Sequence, residues 1–113
     1  MRLEAQKYLF DIQRAAALLT EFTAPGRRSP TTRRIPCCAA VEREFEVIGE
    51  ALARLAKLDK DLAAQISEHE RIIAFRNILI HGYATVDDRI VWGVIENYLA
   101  ALKRGVDQLL AGP

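Results

Sequence analysis

Apolar and polar positions follow a helical period along most of the chain, and no strand pattern competes. From Arg2 to Phe22, Leu3, Phe10, Ala17 and Leu18 recur at helical spacing, flanked by Leu9, Ile12, Ala16 and Leu19. The period stops between Thr23 and Pro36, where Pro25, Gly26, Pro30 and Pro36 stand among Arg27, Arg28, Arg33 and Arg34; this stretch reads as a flexible loop. From about Cys37 to Leu58, Val41, Phe45, Ile48, Leu52 and Leu55 form the stripe of a second helix, with Pro36 suited to its first turn. Asp59 to Ile66 predicts a short third segment. Ser67, with Glu70 three residues on, has the form of a capping box opening a helix that carries Arg71 to Ile80 and ends near Gly82. Thr85 or Asp87 can cap a last helix, about Asp88 to Leu110, with Ile90, Val94, Tyr98, Ala101 and Leu102 on one face. The expected fold is all-α: an antiparallel up-and-down bundle of four or five helices, one domain over residues 1–113.

Composition narrows the function classes. The 113 residues are 50% hydrophobic and 27% charged, with a net charge of +1. That excludes a strongly basic nucleic-acid coat and an acidic disordered tail. No apolar run approaches the roughly 18 residues of a membrane span, and no signal-peptide core is visible, so a cytoplasmic location is expected. The adjacent pair Cys37 and Cys38 has no metal-ligand spacing and implies no disulfide framework. The charge is uneven: residues 1–40 carry seven Lys/Arg against three Asp/Glu, residues 41–113 nine against twelve.

The candidate chemistry lies in Arg71-Ile-Ile-Ala-Phe-Arg-Asn-Ile-Leu-Ile-His-Gly-Tyr83. On a helix advancing about 100° per residue, with Arg76 at zero, Ile72, Leu79 and Phe75 fall on one side and Ile80 and Ile73 on the other. Arg76 is therefore flanked by apolar residues on both sides, a wider apolar arc than a monomer's surface helix shows. A second buried contact accounts for it, most simply the same surface of another copy. A guanidinium beside that contact needs an anionic partner, and Glu46 and Glu50, one turn apart on the preceding long helix, are the candidates. Helical geometry places His81 about 140° around from Arg76, so a helix end at Gly82 or a two-fold axis is needed to bring them together. A histidine and an arginine in one cleft suit phosphodiester chemistry: the imidazole accepts or delivers a proton near neutral pH, and the guanidinium grips phosphate oxygens. Asn77 can orient the phosphate or the imidazole.

The string Arg76-Asn77-Ile78-Leu79-Ile80-His81-Gly82-Tyr83 resembles the Arg-x4-His-x-Tyr motif of the HepT toxins in the HEPN superfamily. Glu46-Val47-Ile48-Gly49-Glu50-Ala51 resembles that family's segment ahead of the motif, and Val86 to Trp92 the segment after it. The resemblance implies a HEPN-like bundle that dimerises with its motifs facing a shared cleft. It implies a metal-independent endoribonuclease with no cofactor, the toxin of a type II toxin–antitoxin pair. The partner it implies is an MntA-like nucleotidyltransferase antitoxin that can add AMP to the motif tyrosine. Arg76 and His81 are then catalytic, Asn77 assists, and Tyr83 is the modification site. The loop arginines Arg27, Arg28, Arg33 and Arg34 are possible RNA contacts, in a segment that departs from the family pattern. The competing expectation is a non-catalytic helical subunit that docks a minimal nucleotidyltransferase.

Overall fold

The computed structural model describes residues 2–22, 38–81 and 88–112, and every regular element among them is helical. The elements are α1 (Leu3–Phe22), α2 (Cys38–Leu58), α3 (Lys60–Ala64), α4 (His69–His81), α5 (Asp88–Val94) and α6 (Ala100–Ala111). A π-helical turn, Ile95–Leu99, joins α5 to α6 in one continuous rod. This is the all-α bundle expected from the period. None of these helices is long and apolar enough to cross a membrane. The arginine- and proline-rich loop and the caps Thr85 and Asp87 lie outside the described residues.

α2 is the central helix. It packs against α1 on one side and α4 on the other, while α6 returns along α1. Its predicted stripe, Val41, Phe45, Ile48, Leu52 and Leu55, is buried throughout. Small residues on the facing helices, Ala5, Ala15 and Ala16 on α1 and Ala51 on α2, are buried too, and side chains of that size let helix axes approach closely. Phe45 of α2 meets Phe75 of α4 edge-to-face, with ring centroids 5.2 Å apart, which locks the pair that positions the site. Gln13 Nε2 donates to Asp107 Oδ1 at 2.8 Å, tying α1 to α6.

Three local expectations are corrected. On α1 the buried row is Ala5, Leu9, Ile12, Ala16 and Leu19, whereas Leu3 is 82% and Phe10 56% exposed. Two apolar rows about 100° apart satisfy the same period, and the small residues on the inner one decide which packs. On the last rod the buried row is Val91, Ile95, Leu99, Leu102 and Val106, and Ile90 faces out. Within the π turn the backbone winds more widely, so a spacing of four stays on the core side from Val91 to Leu99. Finally, Ser67 does not cap α4. Glu68, at φ 61°, occupies that place: its carbonyl accepts from Arg71 N at 3.1 Å and Ile72 N at 3.2 Å. Its carboxylate pairs with Arg71 at 3.0 Å. Asp59, the first residue of the expected third segment, caps α3 by accepting from Leu62 N at 3.1 Å.

Candidate functional site

On α4, Arg76 lies on the side that meets α2. Ile72 and Phe75 are buried, Leu79 and Ile73 pack partly against the core, and Arg76 lies between those two sides. The stem of Arg76 crosses α2 at Gly49. A Cβ on Gly49 would come within 2.5 Å of Arg76 Cγ and 3.2 Å of Cδ, so only glycine leaves room there. A mid-helix glycine costs up to ~1 kcal/mol in helix propensity, and here the absent side chain is what admits the arginine.

Past Gly49 the guanidinium meets Glu50. Arg76 Nη2 pairs with Glu50 Oε2, and Nη1 donates to Asn77 Oδ1 at 2.8 Å. Arg76 Nε is buried and has no hydrogen-bond partner, so the planar group is held by its two outer nitrogens. Of the two carboxylates predicted as partners, Glu50 makes the ion pair; Glu46 lines the same cleft one turn away. Glu50 is shared, because its Oε1 accepts from Arg54 Nε at 2.7 Å. The Arg54 hydrogen bond, aided by the charges of Arg76, Arg54 and Lys57, holds the Glu50 carboxyl below its ordinary 4.5 despite a desolvation cost that raises it. Glu50 is thus an anion at neutral pH, spanning two guanidiniums.

These groups form one wall of a cleft of about 440 Å³ between α1, α2 and α4. Ile80, one turn after Arg76 and 47% exposed, stands at its α4 edge. The α1 wall was not anticipated. It contributes Lys7, Tyr8 and Asp11, and nothing in the sequence ties those residues to the motif on α4. Arg54 was missed too; its spacing of four from Glu50 was the available signal. His81 is the last residue of α4. Tyr83 and the four loop arginines, Arg27, Arg28, Arg33 and Arg34, lie outside the described residues.

The arrangement can hold an anion. Arg76 presents a preoriented guanidinium on a rigid helix, and such a group recognises phosphate oxygens bidentately. A family model described as "Ribonuclease HepT-like" matches residues 12–109. The chain is 32% identical to "Probable ribonuclease HepT" of Thermococcus cleftensis over 109 residues, covering 96% of this chain and 98% of that one. It is 26% identical over 104 residues to "Putative RNase MJ1380" of Methanocaldococcus jannaschii, covering 92% of this chain and 94% of that one. No solved structure matches it significantly. With the family match running nearly from end to end, the chain belongs to the HepT-like ribonuclease family.

Proposed function

We propose that the protein is the toxin of a type II toxin–antitoxin module, an endoribonuclease that cleaves RNA without a metal ion. The observation that carries this reading is Arg76, fixed in the wall of an open cleft by Glu50 and Asn77, in a family whose relatives are named ribonucleases. In this mechanism Arg76 binds the non-bridging oxygens of the scissile phosphate and neutralises the charge that builds as the ribose 2′-oxygen attacks phosphorus. His81 removes the 2′-hydroxyl proton or delivers a proton to the departing 5′-oxygen. One imidazole cannot do both at once, and a homodimer places two at a shared cleft. Asn77 accepts from the guanidinium and in this reading helps to orient phosphate.

An MntA-like nucleotidyltransferase is the antitoxin in this reading, neutralising the toxin by transferring AMP from ATP to the Tyr83 phenol oxygen with release of pyrophosphate. A bulky anionic adduct two residues from His81 excludes RNA by volume and by charge. The deciding experiment is cleavage of single-stranded RNA in the presence of a chelator. Wild type cleaves, and His81→Ala and Arg76→Ala each lose at least about a hundredfold in kcat/KM. Equal cleavage by purified His81→Ala rejects the reading. If wild type is inert but binds a nucleotidyltransferase stably, the chain is a docking subunit instead.

A further inference from the structure

The cleft extends well beyond Arg76, and the nuclease mechanism above leaves most of its lining unused. Along α2, Arg43, Glu50 and Arg54 follow one another on the cleft side over about 16 Å of helix. Facing them across the groove, α1 presents Tyr8 between Lys7 and Asp11. Among the described residues Lys7 and Arg43 have no ion pair, so two of the four cations are uncommitted. Tyr8 is half-buried against the core and lies beside Arg54. Another cleft among the described residues, lined by Gln6, Gln65 and Gln108 near the end of α6, has no charged side chain in its lining.

We propose that the cleft between α1, α2 and α4 is a subsite for one nucleotide of single-stranded RNA flanking the scissile bond, with Tyr8 against its base and Arg54 and Arg43 on its phosphates. A volume of about 440 Å³ falls in the range of small-molecule sites and suits one nucleotide, not a duplex. The mixture of groups fits the three parts of a nucleotide. Guanidiniums take phosphate, an aromatic face takes an unstacked base, and carboxylates such as Asp11 and Glu46 accept from ribose hydroxyls or base amines. A bare phosphate would have no use for the tyrosine or the carboxylates. The subsite rests on the ribonuclease reading for its position next to a scissile bond, but its binding is separable from cleavage.

The test uses the full chain and a labelled, fully 2′-O-methylated octanucleotide, which lacks the attacking hydroxyl and is not cut. By fluorescence anisotropy, Arg54→Ala and Tyr8→Ala each bind about tenfold more weakly than wild type, while Tyr8→Phe, which keeps the ring, stays within about twofold. On cleavable RNA the loss falls on KM more than on kcat. Arg54 and Arg43 are exposed, so their variants remain decisive if Tyr8→Ala does not fold. Wild-type cleavage with unaltered Kd and KM in Arg54→Ala and Arg43→Ala overturns the subsite and leaves the nuclease reading standing. Wild-type binding that depends on Tyr8 and Arg54 without any cleavage supports the subsite and rejects the nuclease.

Discussion

Gly49 and Arg76 occupy each other's space: the arginine stem runs through the position where any other residue at 49 would place its Cβ. The atoms in the way are Cβ and Cγ, the inflexible root of the side chain, so relief requires α2 and α4 to separate. Gly49→Ala is therefore expected to destabilise the fold by about 1–3 kcal/mol, the usual cost of overpacking, although alanine is the better helix former. It also displaces the guanidinium from Glu50. Urea denaturation and RNA cleavage measured on the same preparation check both effects; a more stable, fully active variant contradicts the contact.

Glu50 is expected to matter for activity more than for stability. Its ion pairs are partly solvated, with the Glu50 side chain 41% exposed, and such pairs contribute little to folding. Glu50→Gln keeps the shape and removes the charge that aligns Arg76, so kcat/KM falls by about tenfold or more while the melting temperature moves by only a few degrees. The pH dependence has a definite sign. Because the folded carboxyl sits below 4.5, its contribution to stability is present above that value and disappears as pH falls through the folded value. The gap in stability between wild type and Glu50→Gln should close below pH 4.5, as read from urea midpoints across an acid series.

Phe75 couples the core to the site through its edge-to-face contact with Phe45. Phe75→Ala is expected to cost about 3–5 kcal/mol, a large share of the stability of a domain this size. Phe75→Leu retains most of the burial and costs less, so the two variants rank in that order in thermal melting.

The proposed homodimer makes a prediction at Ile80. An exposed isoleucine one turn from Arg76 is suited to a contact between copies. Ile80→Glu leaves the helical circular dichroism intact and shifts the mass in light scattering from dimer to monomer. A dimer that survives the substitution places the interface elsewhere.

How much of this was legible in the sequence depends on what each feature answers to. Helix number and the α2 stripe follow from neighbours along the chain, and the hydrophobic period reports those. The choice between the Leu9 and Phe10 rows of α1 depends on which neighbour can approach Ala15 and Ala16, and one helix viewed alone does not contain that neighbour. The π turn at Ile95–Leu99 shifts the inward row without leaving a glycine, a proline or any other local mark except Gly93, whose carbonyl accepts from Asn97 Nδ2 at 2.8 Å. The Arg76–Glu50 pair was visible as one of two alternatives. The reason it wins, the gap at Gly49, appears only when α2 and α4 are laid together.

The shared carboxylate between Arg54 and Arg76 gives the site a tethered counterion. Binding of a polyanion normally frees condensed cations from the nucleic acid into bulk solution, and affinity falls steeply with salt in proportion to the phosphates neutralised. In the proposed RNA-binding reading, a phosphate meets guanidiniums already partly neutralised by an anion that stays attached to the protein. The two arginines therefore act together as one net positive charge, and RNA affinity at this cleft should respond to ionic strength less steeply than its count of basic side chains implies.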